Sequence, residues 1–368
     1  MAAVNRRSLQ PGERIRVLVV DDSVVIRRLV RNALEADPEL EVVGVAANGS
    51  IALQRIPQLN PDVLTLDIEM PEMDGLETLR RLRRDFPQLR VIMFSTLTER
   101  GAAVTLEALS LGADDYVTKA SNEGSLDQSM MRLREELIPR IKQFFLLPAK
   151  TGAAPRSQVP APPPRERGAF FALSAKQRPK VVVIGVSTGG PSALGSILPH
   201  LAAGFPLPVL VVQHMPPLFT RFLAERLHTS CPLSVEEARQ GDRVIAGKIL
   251  IAPGDFHLKV AVCGGEVHVH LDQSPPQNFC RPAVDALFSS IAEVYGGAVL
   301  AVILTGMGHD GLRGVEILKA QGASILAQDE ASSVVWGMPG AVVNAGFADR
   351  VLPLDQVAPE IMRRADRP

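Results

Sequence analysis

Residues 181–194 read VVVIGVSTGGPSAL. An unbroken apolar run, Val181 to Ile184, enters a glycine-rich turn, and Pro191 to Leu198 has the composition of a short helix. A strand without polar alternation is buried on both faces, so strand, tight turn and helix together predict a parallel sheet covered by helices. The turn Gly185-Val186-Ser187-Thr188-Gly189-Gly190 fits three chemistries: a phosphate cradle, a dinucleotide turn or a raised nucleophile. The dinucleotide pattern G-x-G-x-x-G needs glycine where Ser187 stands and an acid about 20 positions on, and residues 203–212 contain none. The lysine of a phosphate-binding P-loop is also missing. G-x-S-x-G remains, in which small residues let the chain turn sharply and let a substrate reach the hydroxyl.

The same alternation extends in both directions. Downstream, "KVVVIGV" (180–186), "LPVLVVQ" (207–213), "AVLAVILTG" (298–306) and "ASILAQ" (323–328) read as buried strands. Residues 243–271 alternate apolar and polar residues and turn at Gly264-Gly265, which predicts an antiparallel excursion. Upstream, "IRVLVV" (15–20), "LEVVGVA" (40–46), "DVLTL" (62–66), "RVIMFS" (90–95) and "DYVTK" (115–119) read as five strands, with helix-period segments such as Ser23 to Glu35 and Gly75 to Phe86 between them. Residues 148–179 are rich in Pro, Ala, Gly and charge and cannot build a core, so they read as a linker. The expected fold class is α/β: two doubly wound parallel-sheet domains, 14–147 and 180–366, the second carrying an antiparallel β-hairpin.

The bulk numbers restrict function. A net charge of -1 over 368 residues supplies no field for nucleic acid, and Arg80, Arg81, Arg83 and Arg84 read as a solvated helix face. Cys231, Cys263 and Cys280 have no metal-ligand spacing and fit a reducing compartment. There is no secretory apolar segment at the start and no run of the roughly 20 apolar residues that a membrane span needs, so a cytoplasmic protein is expected.

In open parallel sheets functional groups collect at the carboxyl ends of strands. Asp21 and Asp22 follow the first strand, Asp67 ends the third, Ser95 the fourth and Lys119 the fifth. Three neighbouring carboxylates repel, and a hard cation such as Mg²⁺ relieves the repulsion. Asp67 is then a candidate phosphoryl acceptor, with Ser95 and Lys119 stabilising charge on the transferred group. An aspartate at a strand end is also a common helix cap.

"VLVVDDSVVIRRLV", "DVLTLDIEMPEMDGLE", "MFSTLT" and "GADDYVTKA" resemble, in order, the motifs of response-regulator receivers. That resemblance implies a flavodoxin-like fold and a histidine-kinase phosphodonor for Asp67. It also implies Mg²⁺ on Asp21, Asp22, Asp67 and the backbone carbonyl of Glu69, with switch roles for Ser95 and Lys119. Ala120 departs from the family, which has proline after the lysine.

A serine nucleophile needs a base, and the base needs an orienting group. His214 ends the strand "VLVVQ", and Asp310 follows "VILTGMGHDG", where the flanking glycines also fit a helix cap. Ser187, His214 and Asp310 therefore fall on one sheet edge, and Met307 N–H is placed to help form an oxyanion hole. The chain order Ser-His-Asp excludes the α/β-hydrolase fold, which runs Ser-Asp-His. His268 and His270 share a strand face but have no third ligand; His200, His228, His257 and His309 carry no pattern.

"GVSTGGPSAL", "VVQHMPPLFTRFLAERL", "APGDFHL", "LTGMGHDGLRG" and "AQDEASSVVWGMPGAV" resemble the domain of CheB-type protein-glutamate methylesterases. The resemblance implies a Rossmann-like domain in which Ser187 attacks, His214 is the base, Asp310 orients it and Met307 N–H binds the oxyanion. It implies hydrolysis of glutamate γ-methyl esters on chemoreceptor helices, deamidation of receptor glutamines, no cofactor for the esterase, and control by a chemotaxis histidine kinase. Ala283 and His309 depart from the family pattern. Two other functions stay open at this level: a regulator whose second domain only binds a partner, and a DNA-binding regulator, for which no helix-turn-helix pattern is present.

Overall fold

The computed structural model describes residues 7–10, 12–119, 126–146 and 177–365. The expected linker lies almost wholly outside the described residues, as does Ala120. In chain order the first unit contains β1 (Arg7–Ser8), β2 (Ile15–Val20), β3 (Leu40–Ala46), β4 (Val63–Asp67), β5 (Arg90–Ser95), β6 (Asp115–Thr118) and β7 (Phe145–Leu146). Five of these pair in parallel in the order β3-β2-β4-β5-β6, and β1 pairs with β7. Helices α1 (Val24–Glu35), α2 (Gly49–Leu59), α3 (Gly75–Asp85) and α4 (Glu99–Ser110) make the crossovers, and α5 (Leu126–Lys142) follows β6. Ser23, Asn48, Asp74 and Thr98 start α1 to α4, each accepting from the backbone N–H three residues on, which satisfies a donor the helix itself leaves unpaired.

The second unit holds β8 (Val181–Val186), β9 (Val209–Gln213), β10 (Ser234–Glu237), β11 (Lys248–Ile251), β12 (His257–Cys263), β13 (Glu266–Asp272), β14 (Val299–Ile303), β15 (Ser324–Gln328) and β16 (Arg350–Leu352). Seven form a parallel sheet in the order β10-β11-β9-β8-β14-β15-β16, and β12 and β13 form an antiparallel hairpin beside it. Helices α6 (Gly190–Ile197), α7 (Phe219–Ser230), α8 (Val284–Tyr295), α9 (Leu312–Ala320), α10 (Met338–Asn344) and α11 (Leu354–Ala365) cover the sheet.

The fold class agrees with the expectation, with three local corrections. Lys248–Ile251 is not part of the antiparallel excursion, because it pairs in parallel with β9 and β10. Ile249, Leu250 and Ile251 are all buried, the signature of a strand covered on both faces. The edge strands β10 and β16 carry polar residues and escape a search for apolar runs. Arg83 is not simply solvated: it donates to the carbonyls of Leu89 and Gly112 and pairs with Asp114 at 2.9 Å, tying α3 to the sheet.

Each sheet has a point where connections leave in opposite directions, and a crevice opens there at the strands' carboxyl ends. In the first sheet this lies between β2 and β4. In the second, β8 sits between β9 and β14. The two units also touch. Tyr116 of β6 stacks on Phe219 of α7, with ring centroids 4.9 Å apart and planes 7° from parallel. Ser192 Oγ donates to Leu109 O (2.9 Å), and Arg221 pairs with Glu99 at 2.6 Å. The hydroxyl of Thr188 lies 3.2 Å from Asp115 Oδ2 and 3.3 Å from Gln143 Oε1.

Candidate functional site

The crevice of the first sheet gathers Asp21, Asp22 and Asp67, whose carboxylate oxygens come within 4.8 Å of one another. Lys119 Nζ lies 2.8 Å from Asp67 Oδ2 and 3.0 Å from Asp21 Oδ2, so one ammonium faces two buried carboxylates. Burial, eased by the Lys119 hydrogen bond and aggravated by the charge on Asp21, pushes the Asp67 carboxyl up to about 6. For Lys119, burial works against the charge, but the two aspartates outweigh it and its pKa rises. Glu69 lines the same cavity. Ser95 is turned away: its hydroxyl accepts from Thr105 Oγ1 (2.6 Å) and faces the Gly101 and Thr96 carbonyls, both at 3.2 Å. Three carboxylates offering only oxygen atoms, with a single ammonium against them, suit a hard cation such as Mg²⁺.

The crevice of the second sheet brings Ser187, His214 and Asp310 to the ends of β8, β9 and β14. Ser187 N donates to Thr305 O (3.0 Å), and Gln213 Nε2 donates to Ser187 O (2.9 Å), so neighbouring strands fix the turn. Gly189 has φ of 77°, a conformation a side chain disfavours. A Cβ on Gly306 would lie 2.7 Å from that of Ser187, so only glycine lets the loop after β14 pass this closely.

His214 and Asp310 form a direct pair, Nε2 to Oδ2 at 2.8 Å. Asp310 accepts four further hydrogen bonds: from Val284 N (2.6 Å), Asp285 N (3.1 Å), Gly311 N (3.0 Å) and Asn278 Nδ2 (2.8 Å). Two of these donors open α8, so the cap is real, though on a different helix from the one its flanking glycines announce. Burial raises the Asp310 carboxyl, but these bonds, His214 foremost, hold it below the usual carboxylate range. The imidazole is the reverse case. Burial works against its charge, but Asp310 and then Cys280 overcome this and push the His214 pKa up to about 10.

The Cys280 contact was not legible in the sequence: Sγ lies 3.6 Å from His214 Nδ1. The Ser187 hydroxyl makes no hydrogen bond among the described residues, and Met307 N–H is likewise not engaged by any of them. The other histidines stay outside. His257 is fully buried, lying 3.2 Å from Pro275 O and accepting from Ala283 N at 3.2 Å. His268 contacts Gly241 O, and His309 is exposed. Ala283 caps no group with its side chain and precedes α8.

One α/β unit thus carries an acidic crevice, and the other a serine turn at the same sheet edge as a histidine–aspartate pair. A family model for the CheB methylesterase matches residues 182–361, and one for the response regulator receiver domain matches residues 17–131. A protein-glutamate methylesterase/protein-glutamine glutaminase of Nocardioides is 53% identical over 367 residues, covering 97% of this chain and 96% of its own. That of Trichodesmium erythraeum is 49% identical, covering 95% and 99% respectively. The solved CheB methylesterase catalytic domain of Thermotoga maritima is 46% identical, aligns with a TM-score of 0.50, and covers 50% of this chain and 98% of that one. The chain belongs to the CheB methylesterase family, with a receiver domain at its N-terminal side. Among the described residues no helix is long and apolar enough to cross a membrane.

Proposed function

We propose that this protein hydrolyses glutamate γ-methyl esters on chemoreceptor helices in the cytoplasm, and deamidates glutamines by the same acyl chemistry. Residues 14–147 act as the receiver and 180–366 as the esterase. The observation that carries the reading is the His214–Asp310 pair, 2.8 Å long, at the same crevice as the Ser187 turn. Ser187 Oγ attacks the ester carbonyl while His214 takes its proton, and Met307 N–H binds the developing oxyanion. The proton passes to the departing methoxide and methanol leaves. Water then attacks the acyl-enzyme, His214 accepts its proton and returns it to Ser187, and glutamate is released. For glutamine, ammonia leaves instead. His214 Nδ1 must first exchange Cys280 for the serine hydroxyl as its neighbour before it can take that proton.

In the receiver, a histidine kinase supplies the phosphoryl group to Asp67. Asp21, Asp22, Asp67 and the Glu69 carbonyl would hold Mg²⁺, which supplies charge neutralisation when bound. Lys119 holds the Asp67 oxygen, and Ser95 turns toward the site on phosphorylation. The face carrying Asp115 and Tyr116 contacts Thr188, next to Ser187, and Phe219. A bulky helical substrate competes with that contact, so phosphorylation opens the site by shifting the population away from the docked form.

Methanol release from methylated receptor is measured with the intact protein and with Ser187→Ala, each with and without a small phosphodonor. Release that rises with phosphodonor and vanishes in the variant is expected. Equal release from both proteins would reduce the turn to scaffold and favour a partner-binding domain.

A further inference from the structure

Ahead of α8 the chain makes a narrow loop. Gln277 and Cys280 exchange backbone hydrogen bonds of 3.0 and 2.8 Å, and the residues between them, Asn278 and Phe279, have φ of 50° and 63°. This is the geometry of a type I′ turn, for which Asn-Gly is the favoured pair. Asparagine tolerates the left-handed region; a phenylalanine there is a rare outlier. The Phe279 side chain is also wholly exposed, at 103% of its reference area. A single apolar side chain in water is ordinary on protein surfaces. An aromatic ring held bare in the conformation of a glycine is unfavourable twice over, in its backbone and in its solvation.

The turn is tethered to the reacting groups on both sides of that ring. Asn278 Nδ2 donates to Asp310 Oδ1 (2.8 Å) and to Asp285 Oδ2 (2.9 Å). Cys280 Sγ touches His214 Nδ1 at 3.6 Å. Arg281 closes the base of the loop, binding Asp255 Oδ1 at 2.6 Å and the carbonyls of Gln273 and Ser274 at 3.1 Å each. The backbone of Phe279 is therefore held between two residues bonded to the histidine–aspartate pair, while its side chain is free to meet whatever enters from solvent.

We propose that Phe279 is a substrate-recognition residue, packing on an apolar side chain of the helix that carries the modified glutamate. The inference rests on the esterase reading and adds what that reading lacks, a reason for a protein helix to be preferred over a free glutamate ester. On a helix, the side chains three or four positions from the glutamate share its face, and an apolar one there is offered to the ring as the ester enters. Aromatic anchors of this kind carry a disproportionate share of recognition energy. A short ester has no such neighbour.

The test uses the full-length protein with phosphodonor, comparing Phe279→Ala and Phe279→Gly with the unsubstituted chain. Methanol release is followed from methylated receptor and from an N-acetyl-glutamate γ-methyl ester amide. The preference for receptor, as the ratio of the two kcat/KM values, falls about tenfold in both variants, mainly through the receptor KM. The thermal midpoint of Phe279→Gly equals or exceeds that of the unsubstituted protein, because glycine adopts this φ without strain. An unchanged ratio, or equal losses on the two substrates, would overturn the proposal while leaving the esterase intact. No methanol from either substrate with the unsubstituted protein would instead refute the esterase reading, and this inference with it.

Discussion

Replacing Thr188 by valine removes one hydroxyl from the contact between the two units and little else of its shape. That hydroxyl has a single proton to share between Asp115 Oδ2 at 3.2 Å and Gln143 Oε1 at 3.3 Å. Asp115 is not orphaned by the change. Its Oδ2 still accepts from Arg140 Nη1 and Gln143 Nε2, both at 3.0 Å, so no desolvated charge is left behind. The loss is therefore at the low end for a hydrogen bond to a charged acceptor, about 1.5 kcal/mol. A difference of about 1.4 kcal/mol is tenfold in an equilibrium constant, so the ratio of docked to open molecules falls about tenfold. Where the docked form dominates, methanol release without phosphodonor rises by about the same factor. The rate with saturating phosphodonor changes little, so the stimulation ratio contracts. Initial rates of methanol release from methylated receptor, with and without phosphodonor, provide the assay. An unchanged basal rate with full stimulation retained would refute the role given to this contact. A fall in both rates would show that the hydroxyl serves the Ser187 turn instead.

Three further outcomes follow from the same geometry. On the proposed mechanism, Asp310→Asn keeps the shape but offers the imidazole the wrong partner, and kcat falls by about 10⁴; far-ultraviolet circular dichroism checks that the fold survives. Because the folded His214 pKa is raised above its unfolded value near 6.5 to about 10, the pair with Asp310 stabilises fully below pH 6.5 and less as pH climbs toward 10. Urea midpoints for the unsubstituted protein should fall across that window more steeply than those for His214→Asn, and parallel curves would reject the pairing. Mg²⁺ raises the thermal midpoint of the protein, and Asp22→Ala together with Asp67→Asn abolishes the increase; an undiminished shift in the double variant would place the ion elsewhere.

The sequence alone determined which residues stand at strand ends. Apolar runs without alternation place Val181–Ile184, Val209–Val212 and Val299–Ile303 in a parallel sheet, and such a sheet carries Ser187, His214 and Asp310 to a single edge. The same logic places Asp21, Asp22, Asp67 and Lys119 together, because strand periodicity and helix caps are local properties, written within a few residues. Only the tertiary structure decided what fills the space between those positions. Cys280 reaches His214 across 66 residues of chain, and Asn278 reaches Asp310 across 32, from a loop with no periodicity of its own. Lys248–Ile251 joins the parallel sheet although its neighbours in sequence read as antiparallel, since register is settled by the strands beside it. Thr188 meets Asp115 only because two separately legible units pack face to face. Periodicity reports how a segment is buried, whereas contacts between loops and between domains depend on three-dimensional packing that no local pattern encodes.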